Sequence, residues 1–245
     1  MSDPTHSATV GAVLGFGLVL SPLAARSMLS SQHFCYIRSM TGAAALARLK
    51  AGNAHFVAGY RSVASMQGHT ALNMQQQSPF AIVLGCADSR APAEHVFNVG
   101  LGELFVIRVA GNIIAPSLIG SVEFAAERYH SKLVVVMGHS SCGAVAATIE
   151  SMVAGEDHTS PNVMAIVSRV RPALVDLVKP NQVLPELNST AHNELHALAT
   201  RANTLASVEQ LRHGSAMIER LAAAGELLII GATLDLQSGR VDFLD

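Results

Sequence analysis

The chain of 245 residues contains no tryptophan, and aromatic residues make up only 4% of it. Its net charge is −2, with no run of basic residues. Nucleic-acid binders carry clustered Lys and Arg, often with aromatic stacking platforms among them. Neither is present, so nucleic acid is not an expected partner. Three cysteines are too few for a disulfide framework, which favours a reducing compartment and the cytoplasm. A membrane helix needs ~20 apolar residues; the Gly-rich apolar run Ala8–Leu20 has thirteen, and no membrane span is expected. What the chain does have is 50% apolar residues, enough to bury one sizeable core in one domain.

Residues 1–40 differ from the rest. Ala8–Leu20 resembles the apolar centre of a signal peptide, but no Lys or Arg precedes it and Pro22-Leu23-Ala24-Ala25 is a poor cleavage site. We read 1–40 as an N-terminal extension and 41–245 as the catalytic domain. Export through a signal in residues 1–25 is the alternative to the cytoplasm, and Met28 or Met40 are alternative starts. Cys35 has no assigned role.

From Thr41 the spacing of Ala44, Leu46, Leu49, Ala54, Phe56 and Val57 predicts a helix, interrupted at Gly52-Asn53 and closed by Gly59. Residues 60–78 are polar and read as a loop and short helix. Strands are expected at 80–85, 104–109, 133–137 and 227–231, and the unbroken hydrophobicity of the first is that of a parallel-sheet strand covered on both faces. Helices are expected at 91–97, 117–129 and 143–153, and less legibly at 162–177 and 191–202. Ser207-Val208-Glu209-Gln210 matches a capping box that would open a further helix, with Gly225 as its stop. A hairpin through Gln237–Arg240 would end the chain. Strand alternating with helix predicts a three-layer α/β/α fold, with a mostly parallel sheet of about four strands and a C-terminal antiparallel strand.

Two segments carry chemistry. Cys86-Ala87-Asp88-Ser89-Arg90 ends the first apolar strand, and His139-Ser140-Ser141-Cys142 ends the third. Ligands bind at the carboxyl ends of strands in open α/β sheets. If the two ends are neighbours, Cys86, His139 and Cys142 supply the three ligands of a catalytic zinc, leaving a fourth position for water. Asp88 and Arg90, two apart in an extended segment, point the same way and can pair through two hydrogen bonds. Asp88 would then accept a proton from zinc-bound water, or replace that water as an alternative fourth ligand. A structural salt bridge is the plainer reading of the pair.

These two segments closely resemble the β-class carbonic anhydrases, as do Gly102-Glu103-Leu104-Phe105-Val106-Ile107-Arg108-Val109-Ala110-Gly111-Asn112 and Gly52-Asn53-Ala54-His55-Phe56. The resemblance runs from about residue 44 to the C-terminus and is weakest across 155–206. It implies reversible hydration of carbon dioxide to bicarbonate and a proton, by attack of zinc-bound hydroxide oriented by Asp88–Arg90. It also implies that Gln77 and the backbone of Gly143 contact substrate oxygen, and that Phe105, Ala110 and Phe124 line an apolar carbon dioxide pocket. Gln77, Phe105 and Phe124 would come partly from the opposite subunit of an obligate homodimer, with a tetramer or larger assembly open. Zinc acidifies its water from ~9 to about 7 in a carbonic anhydrase with three histidine ligands; two thiolates should do so less, and an acceptor such as Asp88 compensates.

Members with an inhibitory bicarbonate pocket carry a tryptophan three residues before the first zinc cysteine. Val83 stands there, although Arg108 matches that pocket's basic residue. Asp88 is therefore expected off the metal at neutral pH. His95 and His130 are proton-relay candidates by composition, with a plain surface role the stronger reading. Hydrolysis of carbonyl sulfide or carbon disulfide on the same scaffold, and a non-catalytic zinc module, are the competing functions. The absence of a Cys-x-x-Cys pair weighs against a thiol redox protein.

Overall fold

The computed structural model describes residues 40–61, 77–155, 160–187 and 189–244. The N-terminal extension with Cys35, and the loop and short helix expected before Gln77, lie outside these residues except at Met40, Tyr60 and Arg61. The first helix, α1 (Gly42–Val57), starts where the Thr41 hydroxyl accepts from the Ala44 N–H. It is not interrupted at Gly52-Asn53, and its buried stripe is Ala45–Leu49–Asn53, which shares Leu49 with the predicted face. The helix is continuous because both residues serve tertiary contacts. A β-carbon on Gly52 would overlap the Phe97 carbonyl oxygen. Asn53 donates from Nδ2 to the Val96 and Gly239 carbonyls, and its Oδ1 accepts from the Val241 N–H.

The strands are β1 (Ala81–Gly85), β2 (Leu104–Arg108), β3 (Leu133–His139), β4 (Leu228–Leu234) and β5 (Val241–Leu244). They pair in the order β2-β1-β3-β4-β5, parallel throughout except for antiparallel β5. Every residue of β1 and β3 is buried, as the apolar run of β1 predicted for that strand. Alternate side chains feed two cores: Val83, Val135 and Met137 pack with Leu49 and Phe97 on one face, and Ile82, Leu84, Val134 and Val136 with Leu118, Val208 and Ile218 on the other. The predicted three-layer α/β/α architecture is the observed one.

Between the strands run α2 (Ala93–Val96), α3 (Pro116–Tyr129), α4 (Gly143–Ala154), α5 (Pro161–Val170), α6 (Thr190–Arg212) and α7 (Ala216–Ala223). Helix α5 yields to a 3-10 turn at Arg171–Leu174, where Pro172 has no N–H to continue the ladder. The capping box fails: Ser207 is buried in the middle of α6, which runs on to Arg212. The true break is His213-Gly214-Ser215, where the Ser215 hydroxyl accepts from the Ile218 N–H to start α7. Val208, Leu211 and Ile218 still share one core, from two helices instead of one. Among the described residues no helix is long and apolar enough to cross a membrane.

Candidate metal centre

The chain steps outward from β1 to β2 and returns on the other side of β1 as β3. The carboxyl ends of β1 and β3 thus flank the switch point of the sheet, where open α/β folds leave a crevice. Cys86 directly follows β1, His139 is the last residue of β3, and Cys142 is the N-cap of α4. A left-handed Ser141 (φ 56°) makes the turn tight enough for His139 and Cys142 to face the same point. The three ligand atoms lie within 4.8 Å of one another, and all three residues are buried.

The donor set fits a metal ion. Cys86 Sγ and Cys142 Sγ are 4.0 Å apart, close to the ~3.8 Å that two 2.3 Å bonds subtend in a tetrahedron. His139 Nδ1 lies 2.9 Å from the Ser140 carbonyl oxygen, which fixes the proton there. Nε2 is left buried without a hydrogen-bond partner, an expensive arrangement unless a cation takes its lone pair. The Gly111 N–H donates to Cys86 Sγ at 3.4 Å. Hydrogen bonding from Cys142 brings Cys86 down to about 4 against its burial, and the same bond with burial pushes Cys142 up. Burial opposes protonation of His139, but the Cys86 sulfur, the Ser140 carbonyl and Asp88 together raise its pKa.

Asp88 and Arg90 pair as expected. Arg90 Nε and Nη2 donate to the two carboxylate oxygens at 2.9 and 2.8 Å, and the Arg90 backbone N–H adds a third bond of 2.9 Å. The Arg90 hydrogen bonds hold the Asp88 carboxyl well below the usual carboxylate range, over a smaller opposing effect of burial. Asp88 Oδ2 is 3.9 Å from His139 Nε2, so the clasped carboxylate borders the ligand cluster. Arg108 plays a part the sequence did not reveal. Its guanidinium donates to the Cys86 carbonyl at 3.0 Å and to the Asp88 carbonyl, tying the loop to β2.

The other predicted site residues divide into two groups. Ala110 opens the 3-10 turn Ala110–Asn112 beside the cysteine pair, and Gly143 opens α4 with space around its α-carbon. Gln77, Phe105 and Phe124 gather instead around Tyr129. Gln77 Nε2 donates to the Tyr129 hydroxyl at 2.7 Å, and the three rings lie 5.9–6.2 Å apart. Phe105 pairs with Ile82, four residues before Cys86, which is about 13 Å along the strand. Gln77 packs by Gly102, ahead of both β1 and β2. This cluster is therefore towards the amino end of the sheet, and the thiols and imidazole are at its carboxyl end. His95 and His130 are exposed and outside the ligand cluster.

A family model described as carbonic anhydrase matches residues 81–241. A carbonic anhydrase of Mycolicibacterium smegmatis is 40% identical over 202 residues, 81% of this chain and 91% of that protein. Carbonic anhydrase 2 of Mycobacterium tuberculosis is 37% identical over 205 residues, 82% of this chain and 92% of its own length. Among solved structures, one of two tetrameric β-carbonic anhydrases of Sordaria macrospora superposes with a TM-score of 0.59 at 18% identity, covering 91% of this chain and 98% of its own.

Proposed function

Because the chain belongs to the β-carbonic anhydrase family, we propose that it hydrates carbon dioxide reversibly to bicarbonate and a proton, with zinc held by Cys86, His139 and Cys142. The observation that carries this reading is the convergence of two buried sulfurs and an unpartnered imidazole nitrogen at the sheet's switch point. Bound zinc supplies a Lewis acid that makes water a nucleophile near neutral pH.

The chain's own residues do the rest. His139 offers Nε2 because Ser140 holds the proton on Nδ1. Asp88, kept ionised by Arg90, is an acceptor at Oδ2 for the proton of the attacking water and fixes its orientation. Arg90 would also hold Asp88 off a bound metal, which makes the open state the one expected at neutral pH. Buried Val83, in a chain without tryptophan, supports this. The Gly143 N–H, at the positive end of α4, is placed to stabilise charge developing on a substrate oxygen. Ala110 contributes an apolar wall.

Gln77, Phe105 and Phe124 serve the site of a partner subunit. Their place towards the opposite end of the sheet from Cys86 supports that division, as does Phe124, a large aromatic residue left 51% exposed. The functional unit is thus a homodimer. The tetrameric Sordaria proteins favour a dimer of dimers as the larger form. We place the catalytic unit at residues 41–245 and the enzyme in the cytoplasm.

A carbon dioxide hydration assay with zinc quantitation tests the proposal on the parent, Cys86→Ser and Asp88→Ala. Cys86→Ser should lose zinc. Asp88→Ala should keep zinc and lose about 10²–10³ in rate, the usual loss for a positioned proton or charge partner. Full zinc and full activity in Cys86→Ser would sink the assignment. Sulfide release from carbonyl sulfide or carbon disulfide, faster than carbon dioxide hydration, would transfer the site to those substrates.

A further inference from the structure

Helix α6 carries buried polar residues at 200, 203, 204 and 207, one face of the helix, where burial without partners is costly. Asn203 is 2% exposed, and its Nδ2 donates to the Gly111 carbonyl at 2.8 Å, a bond between residues 92 apart in the chain. Gly111 sits in the left-handed region (φ 72°), and a β-carbon on it would come within 2.9 Å of the Ala144 β-carbon. That conformation aims the Gly111 N–H at Cys86 Sγ. A side chain remote in sequence thus clamps a residue whose N–H donates to this sulfur.

We propose that Asn203 is a positioning residue for the metal centre: by fixing Gly111 it keeps an N–H donor on Cys86 Sγ. The inference rests on Cys86 being a metal ligand. An N–H···S bond fixes the direction of the sulfur and favours its thiolate over the thiol, which aids metal binding, and it also draws charge from the sulfur, which raises the energy of sulfur-to-metal charge transfer. The effect matters most where two thiolates share one cation, as here. Partners that orient first ligands in this way change metal affinity by about 10–100-fold when removed.

The test uses the full chain with cobalt(II) in place of zinc, reading the thiolate-to-cobalt charge-transfer band, together with zinc affinity by chelator competition. Asn203→Ala removes the donor and leaves a cavity, whereas Asn203→Leu removes it while keeping the same number and branching of side-chain heavy atoms. Both should move the band to lower energy and weaken zinc binding about tenfold or more. Thr200→Val is the packing control. It removes a buried hydroxyl oxygen with no hydrogen-bond partner, one turn away on the same face, and should change neither readout. A Leu variant that restores the parent band and affinity would overturn the proposal by showing that packing alone is at work. So would a folded Ala variant with the parent's band and a zinc Kd within twofold. If the parent itself shows no thiolate–cobalt band, the ligand assignment fails and this inference falls with it.

Discussion

Gly52→Ala sets helix propensity against packing, and the structure decides the sign. In an ordinary helix interior the exchange stabilises by about 1 kcal/mol. Gly52 lies inside α1, so propensity alone predicts a gain. The new β-carbon, however, would overlap the Phe97 carbonyl oxygen and lie 2.9 Å from the Phe97 carbonyl carbon. Both are backbone atoms, which cannot swing aside as a side-chain tip would. Relief requires α1 to withdraw by on the order of 1 Å, given carbon contacts of about 3.5–4.0 Å. Withdrawal strains the neighbouring Asn53, whose bonds to Val96, Gly239 and Val241 measure 3.1, 2.9 and 2.9 Å. Leaving two such buried groups unpaired costs about 2–6 kcal/mol. The net expectation is a loss of about 1–5 kcal/mol, read by urea unfolding at fixed zinc, with an unchanged slope. Ala51→Gly, at the exposed preceding position, should lose about 1 kcal/mol through propensity alone. A Gly52→Ala protein as stable as its parent would refute the reasoning and reduce Gly52 to a tolerated helix residue.

Two further outcomes follow from other parts of the molecule. Burial holds the His196 imidazole below its usual range, His192 adds to this from a ring centroid 4.3 Å away, and Glu150 opposes both. The folded pKa is depressed, so the unfolded chain binds more protons between that value and ~6.5. The stability contributed by neutral His196 is therefore complete above ~6.5 and lost as pH falls through the folded value. Denaturant unfolding between pH 7.5 and 5 should show a smaller acid loss in His192→Gln than in the parent, and equal slopes would refute the coupling. Phe124→Glu puts a carboxylate in the exposed aromatic cluster. It should shift the protein towards monomer in sedimentation and lower hydration activity in step, whereas a fully active dimer would remove that surface from the interface.

The parts of this molecule legible in its sequence are those in which residues close along the chain act together. Cys86 and the Asp88–Arg90 pair occupy five residues at one strand end, and His139 and Cys142 occupy four at another. The two central strands β1 and β3 open as apolar runs, and the alternation of strand and helix fixes the layers. Where the reading failed, the deciding partner was remote. Gly52-Asn53 has the composition of a helix break, yet it is the point where α1 docks on α2 and on the β4–β5 hairpin. Ser207-Val208-Glu209-Gln210 has the composition of a helix start, yet Ser207 is buried mid-helix.

Helix α6 shows why such errors cluster. A polar stripe at i, i+3, i+4 and i+7 normally marks the wet face of a surface helix. In α6 that stripe is buried, because Thr204 fits against two glycines of the sheet. A β-carbon on Gly138 would overlap the Thr204 hydroxyl oxygen, and one on Gly231 would come within 3.3 Å of its methyl group. Gly231 pairs with Val136, two residues before Gly138, so the register of β3 and β4 puts both glycines on the same face as diagonal neighbours. The glycines let α6 approach until Asn203 reaches Gly111, and Gly111 in turn reaches Cys86. The hydrogen-bond chain from α6 to Cys86 is thus set by strand register and by the absence of two β-carbons, neither of which leaves a mark in the residues around Asn203.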